Sequence, residues 1–119
     1  MKYMIMMFGD AEEMVQERSP EWVAEMMAFM GAFNAELDRT GEVVTAHGLA
    51  FPATAKTISL ADGQVVVTDG PFAEAKESLA GFWIVDVKDE TRAIDLASQV
   101  VVWAERVELR EVPDGPADR

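Results

Sequence analysis

Two short stretches of this chain are apolar on both of their alternating faces, and they constrain the fold more than any other feature. They are residues 3–8 and residues 81–87. Successive side chains of a strand point to opposite faces of a sheet, so a strand of this kind must be covered on both sides. The sequence therefore predicts a sheet with two covered faces.

Two helices are predicted between the strands. The first begins at Ser19-Pro20, where serine caps the helix and proline fits the first turn, and it ends at Thr40-Gly41. Its apolar side chains recur at steps of three and four, which makes one face of a helix: Trp22, Met26, Phe29, Met30, Phe33 and Leu37. The second helix is capped by Asp89, and its predicted buried stripe is Ala93, Ile94, Ala97 and Val101.

A hairpin is predicted in the middle of the chain. Residues 56–60 and 64–68 are β-branched runs joined by Ala61-Asp62-Gly63, and Asp-Gly is a strong hairpin signal. Further strands are expected over residues 42–51, with an interruption at Gly48, and over residues 106–112. Residues 73–78 can form one or two helical turns.

The order of these elements predicts one α+β domain over residues 1–112. The pattern is β-α-β, a hairpin, then β-α-β, which favours an antiparallel sheet with both helices on one face. A second copy of the sheet is the simplest cover for the other face, so a two-fold homodimer is expected. The polar tail, residues 113–119, is expected to fray.

The composition of the chain excludes some classes of function and disfavours others. The chain has 10 basic and 22 acidic residues and a net charge of -12, which disfavours direct contact with nucleic acid or an anionic membrane. It has no cysteine, which excludes disulfides, thiol catalysis and cysteine-ligated metals. No apolar run approaches the roughly 20 residues that span a bilayer. We expect a cytoplasmic protein that needs no cofactor.

His47 is the single histidine of the chain. It lies beside Gly48 and has two interpretations: a general base or ligand contact, or a strand-end histidine hydrogen-bonded to backbone or water. No second histidine stands at a metal-binding spacing, so no metal site is predicted.

The densest motif is Asp69-Gly70-Pro71-Phe72. One interpretation is a rigid turn in which Asp69 accepts hydrogen bonds from its own loop amides. The other is the polar end of a pocket, with Trp83 and Tyr3 among its lining residues. Asp114-Gly115-Pro116 repeats the tripeptide in the tail, so the tripeptide alone does not indicate a function. The functional interpretation depends on the setting of the first copy, which follows a hairpin and precedes an apolar strand.

The sequence around this motif closely resembles the DGPF-domain proteins of the bacterial YCII-related family. The central likeness is VTDGPFAEAKE at residues 67–77, followed by LAGFWIV at residues 79–85. Three flanking segments fit the same pattern: Lys2-Tyr3-Met4, Gly48-Leu49 followed by Pro52-Ala53-Thr54-Ala55, and Val107-Glu108-Leu109-Arg110. The resemblance implies a ferredoxin-like chain path and a dimeric α+β barrel.

The resemblance also bears on the site residues. The YCII branch has a candidate pair, a histidine in the first helix and an aspartate before the last strand. Here Met30 stands near the first position, and no aspartate lies between Ala97 and Trp103, so that pair does not carry over. In the DGPF branch the recurring residues match Asp69, Gly70, Pro71 and Phe72. Genes of that branch often neighbour extracytoplasmic-function sigma factors.

Three hypotheses about function follow. The first is a dimeric binding or regulatory module that holds a small apolar ligand, with Asp69 and His47 at the polar end of its pocket. Its expected protein partner is a sigma factor. The alternative is an isomerase, lyase or oxygenase acting on a small cyclic compound, with His47 as base and Asp69 as its partner. The third is a stable dimer whose motif is only structural.

Overall fold

The structure is a computed structural model that describes residues 1–9, 11–71 and 78–115. Its strands are β1 (Lys2–Phe8), β2 (Val43–Gly48), β3 (Lys56–Ala61), β4 (Gln64–Asp69), β5 (Leu79–Asp86) and β6 (Val107–Val112). Its α-helices are α1 (Ala11–Glu17), α2 (Pro20–Thr40) and α3 (Glu90–Ala104), and Pro52–Thr54 forms a 3₁₀ turn.

Four of these strands form one antiparallel sheet in the order β2–β5–β1–β6. The two strands predicted to be apolar on both faces, β1 and β5, are its central pair. Ile5 lies opposite Trp83, and on the other side it faces Leu109 of β6. This chain path is ferredoxin-like and confirms the predicted α+β fold. Strands β3 and β4 form a separate two-stranded sheet.

The core fills the space between this sheet and helices α2 and α3. Its most deeply buried side chains come from all three parts: Ile5, Val85, Leu37 and Val100. The predicted apolar face of α2 is confirmed, since each of its members is buried or half-buried. Within the described ranges, no helix has the length and apolarity that crossing a bilayer requires.

The predicted stripe of α3 was partly wrong. Ile94 is exposed and Val101 is only half-buried, while the buried residues are Ala93, Leu96, Ala97 and Val100. Those four follow steps of three, one and three, so the face that meets the sheet is centred near Leu96. Ile94 lies one residue beyond Ala93, and the helical rotation of about 100° per residue carries it out of that face.

The predicted helix ends and hairpin turn are confirmed. Ser19 Oγ accepts a hydrogen bond from the Trp22 N–H at 3.1 Å, and Asp89 Oδ1 accepts one from the Arg92 N–H at 2.9 Å. Asp62 and Gly63 have φ values of 51° and 76°, the left-handed conformation that a tight hairpin needs at both central residues.

Other boundaries differ from the sequence prediction. Strand β2 ends at Gly48 instead of continuing to residue 51, because Pro52 opens the 3₁₀ turn. Helix α1 was not predicted; it has seven residues and too few apolar positions to show a periodic stripe. The helical turns expected over 73–78 fall almost entirely outside the described residues, as does the end of the tail.

One ion pair joins the beginning of β2 to the beginning of α3. Arg92 donates from Nε and Nη2 to the two carboxylate oxygens of Glu42, at 2.9 and 2.8 Å. The Thr40 hydroxyl donates to the same carboxylate at 2.8 Å. The hydrogen bonds from Arg92 are the main reason why the pKa of Glu42 is lowered from its ordinary value of 4.5 to about 2. The two side chains are half-buried, so the pair ties the start of α3 to the residue before β2.

We therefore expect Glu42→Gln to lower the free energy of unfolding by about 2 kcal/mol at neutral pH, because it removes a charge-assisted pair of hydrogen bonds. The carboxylate has a lower pKa in the folded state, so its stabilisation is complete above pH ~4.5 and is lost as the pH falls towards 2. Urea unfolding of wild type and variant across this pH range measures the difference, which should shrink with acid.

Glu36→Gln is the matched control for this prediction. Glu36 pairs with Arg39 one helical turn away on the exposed face of α2. An exposed pair of this kind contributes little. Equal destabilisation by the two substitutions, or a Glu42→Gln effect that does not depend on pH, would contradict the role assigned to the Glu42–Arg92 pair.

Candidate functional site

A cavity of about 670 Å³ lies at one end of the four-stranded sheet. Its floor is the end of β1, the end of β2 and the start of β5; its walls are α1, α2 and the C-terminal end of α3. Five of the eight methionines of the chain line it: Met7, Met14, Met26, Met27 and Met30. Three aromatic side chains complete the apolar wall: Phe8, Trp83 and Trp103.

An irregularity in the sheet helps to open this cavity. The register between β1 and β5 shifts after Met7, so that Phe8 pairs with Leu79 and Ala80 is the additional residue. Bulges of this type bend a strand and redirect its side chains, and they are frequent next to functional sites. Met7, Phe8 and Ala80 all line the cavity.

A pair of glycines sets the spacing of the neighbouring strands β2 and β5. Gly48 lies opposite Gly81. A Cβ atom on Gly81 would stand 3.0 Å from the backbone carbonyl oxygen of His47, whereas one on Gly48 would meet nothing within 4 Å. Gly81 is therefore required for the close approach that positions the His47 backbone at the cavity.

His47 belongs to the end of β2 that borders the cavity, but it pairs with Phe82 across the sheet, so strand alternation places its ring on the sheet face that points away from the helices. Its Nε2 lies 2.8 Å from Thr45 Oγ1, and its ring centroid is 5.9 Å from that of Phe82. The ring is thus oriented by a side chain two residues away on the same strand face, a partner that neither interpretation of the sequence named.

Trp83 connects the cavity to the core. Its indole Nε1–H donates to Asn34 Oδ1 at 2.7 Å, and its ring meets Phe33 edge-on at 5.5 Å. Trp83 and Asn34 both line the cavity. The hydrogen bond satisfies the buried indole and leaves the Asn34 amide nitrogen able to donate at the cavity wall.

Charged groups lie on the exposed side of the cavity. Arg18 donates from Nη2 to Glu105 Oε1 at 3.3 Å, and its guanidinium stands 4.6 Å over the Trp22 ring. Glu13 and Glu17 of α1 also contribute to the lining. Apolar wall and charged rim together resemble the usual organisation of a small-molecule site.

The Asp69-Gly70-Pro71 segment lies elsewhere. The Asp69 carboxylate is 88% exposed and pairs with the Lys56 ammonium across the base of the hairpin, in place of the loop amides expected from the sequence. Gly70 has a φ of 94°, donates its N–H to the Ala55 carbonyl and accepts from the Thr57 hydroxyl. None of the three lines the cavity. Phe72, the last residue of the motif, lies outside the described residues.

Tyr3 is also separate from the cavity. It is buried against the helices on the core face of β1, opposite Val85. Burial raises the pKa of its phenol, and the nearby carboxylates of Glu90, Glu111 and Asp89 raise it further. Of the predicted site residues, the structure thus brings His47 and Trp83 to the cavity, and leaves Tyr3, Asp69, Gly70 and Pro71 out of its lining.

Several cavity residues have no clear signal in the sequence. Asn34 lies within a long amphipathic helix, and Arg18 precedes the helix-capping serine, so each has an ordinary local explanation. The methionines of α2 were visible as an apolar stripe, but such a stripe does not tell core from pocket. Across the described ranges, no three His, Asp or Glu side chains are grouped to hold a metal ion.

The fold and the cavity together define a ferredoxin-like α+β protein with a candidate small-molecule site at one end of its sheet. The sequence model of the YCII-related domain matches residues 1–114, and the chain therefore belongs to the YCII-related family. It is 30% identical over 97 residues to an uncharacterised protein of Rhizobium meliloti (strain 1021), which covers 82% of this chain and 77% of that protein. The family resemblance is confirmed; the DGPF branch stays a prediction.

The paired glycines supply a direct test of the geometry around His47. We expect Gly81→Ala to destabilise the protein by about 1–3 kcal/mol, because the added methyl group meets backbone that must shift. Gly48→Ala should change the unfolding free energy by less than about 0.5 kcal/mol. Chemical denaturation of both variants measures the difference, and equal effects would show that the close approach at Gly81 is not a constraint.

Proposed function

We propose that this protein binds a small, mostly apolar molecule in the cavity between its sheet end and helices α1, α2 and α3. In this proposal it works as a homodimeric binding or regulatory module. Its specificity comes from the Asn34 amide within a mostly apolar wall.

The observation that carries the proposal is the cavity itself. Its volume of about 670 Å³ lies within the range of roughly 300–1,000 Å³ that small-molecule sites occupy. Methionine side chains are flexible and polarizable, so a wall rich in them adapts to ligands of different shape. The aromatic rings add large apolar contact areas at fixed positions.

The same geometry favours binding over the enzyme hypothesis. A base and its orienting carboxylate must lie within hydrogen-bond reach of each other or of the substrate. The His47 ring lies with Phe82 on the sheet face away from the helices, and Asp69 is held by Lys56 on the hairpin and is absent from the lining. The proposed ligand therefore contacts Trp83 and Asn34, with no part for a pair formed by His47 and Asp69. The sigma-factor association and the cytoplasmic location stay predictions.

The homodimer in this proposal uses the sheet face that points away from the helices, which we call the open sheet face. Alternation along the central strands places four apolar side chains there, opposite the core residues: Met4, Phe82 and Ile84, which are half-buried, and Met6, which is already buried in the single chain. Helices α2 and α3 pack on the other face. A second copy would cover these side chains and give the barrel that the family resemblance implies.

The test uses N-phenyl-1-naphthylamine, a neutral apolar dye whose fluorescence rises in an apolar site. Two substitutions on α3 form a matched pair. Ala104→Phe adds a ring at the cavity wall and should weaken dye binding at least about tenfold, whereas Val102→Phe, exposed two residues earlier, should leave it unchanged. Energy transfer from tryptophan to the dye locates the site, since Trp83 and Trp103 line it.

A second pair compares a polar residue of the cavity with the aspartate of the hairpin. Asn34→Ala should weaken binding of the same dye or of a ligand found by thermal-shift screening, and Asp69→Ala should not. A ligand at a hundred times its dissociation constant adds about 2.7 kcal/mol to stability, which a thermal shift detects. Dye binding that Ala104→Phe leaves intact, or a loss of binding caused by Asp69→Ala but not by Asn34→Ala, would contradict the assignment of the site.

A further inference from the structure

We propose that the β3–β4 hairpin is an arm whose apolar face packs against a second copy of this chain. The inference rests on the homodimer in the proposed function and assigns part of its interface to a segment outside the four-stranded sheet.

The hairpin is strongly two-sided. Ile58 lies opposite Val67, and Leu60 lies opposite Val65, so strand alternation places all four on one face, which we call the arm face. Their exposed fractions are 67%, 59%, 72% and 71%. The other face carries Val66, 37% exposed, as its one large apolar side chain, and is otherwise small and polar: Thr57, Ser59, Ala61, Gln64 and Thr68.

In a single chain the apolar side chains of the arm face have nothing packed over them in the described part of the structure. A two-stranded hairpin is marginally stable in water unless it packs on something else. The smallest dimension of the molecule is 19 Å, which accommodates one sheet and one helix layer but no third layer. The hairpin therefore does not fold back over the open sheet face of its own chain, and both apolar surfaces remain available.

The single chain exposes more surface than a compact monomer of its mass, and the excess is large enough for a dimer interface. Its accessible surface is 8204 Å², about 1,800 Å² more than the ~6,400 Å² expected for a compact 13.1 kDa monomer. Its radius of gyration is 16.5 Å, against about 13.5 Å for a compact domain of this length. A stable interface removes about 800 Å² per partner, and permanent dimers remove more. The excess is large enough for the arm face and the open sheet face together.

Charge favours a second copy as the occupant. The chain has a net charge of -12, so two copies repel each other over most of their surfaces. The arm face is an exception, because its charged residues are the paired Lys56 and Asp69. On the open sheet face, strand alternation likewise places two cations and two carboxylates: Lys2, Arg110, Asp86 and Glu108. Two copies can meet through these two surfaces without opposing net charges.

The first experiment compares Leu60→Asp with Ser59→Asp by sedimentation equilibrium. The two substitutions add the same charge at adjacent positions on opposite faces of the hairpin. We expect Leu60→Asp to raise the dimer dissociation constant at least about tenfold and Ser59→Asp to leave it near wild type. Circular dichroism confirms that each variant is folded.

Ile84→Asp, at the centre of the open sheet face, separates this inference from the homodimer itself. Dissociation by Ile84→Asp together with no effect of Leu60→Asp would overturn the arm and leave the homodimer standing. A wild type that is monomeric at every concentration would overturn both.

A second measurement does not depend on weakening the dimer. The chain lacks cysteine, so Leu60→Cys and Ser59→Cys each provide one site for a benzophenone maleimide. Illumination should join the label at residue 60 to a second chain, giving a covalent product of twice the chain mass, and should do so far less at residue 59. A dimeric sample in which the label at residue 60 forms no such product would overturn the proposal.

Discussion

The pairing of β1 with β5 is the interaction on which the rest of the structure depends. Ile5 and Val85 from these strands are completely buried, and they meet Leu37 of α2 and Val100 of α3. Burial of a large aliphatic side chain contributes about 1.5–3 kcal/mol, so this central cluster is the main attachment of both helices. The outer strands β2 and β6 then add to edges that the central pair has already aligned.

The candidate site is a consequence of how this pairing ends. Register is kept from Lys2 to Met7 and shifts immediately afterwards, where the cavity begins. Gly81 permits the close approach of β2 at the same level, and Trp83 extends from the core to the cavity through its bond to Asn34. The stable centre of the sheet thus holds the site, while its apolar wall is supplied by adaptable methionines.

The sequence predicted the features that depend on local chemistry. The Ser19 and Asp89 caps, the Gly41 helix end and the Asp62-Gly63 turn each follow from the conformational preference of a few neighbouring residues. The site could not be predicted in the same way, because its lining comes from six separate segments. The Asp69 motif was conspicuous in the sequence, yet its carboxylate serves a cross-strand ion pair with Lys56, a contact that depends on the register of the hairpin.

The central claim is that a sheet whose middle strands are apolar on both faces is completed by a second copy of the chain. Small-angle X-ray scattering of the wild-type protein tests it directly, because it reports mass and shape in solution together. The account predicts a particle of twice 13.1 kDa. A 13.1 kDa particle with a radius of gyration near 16.5 Å, unchanged up to high concentration, would contradict it.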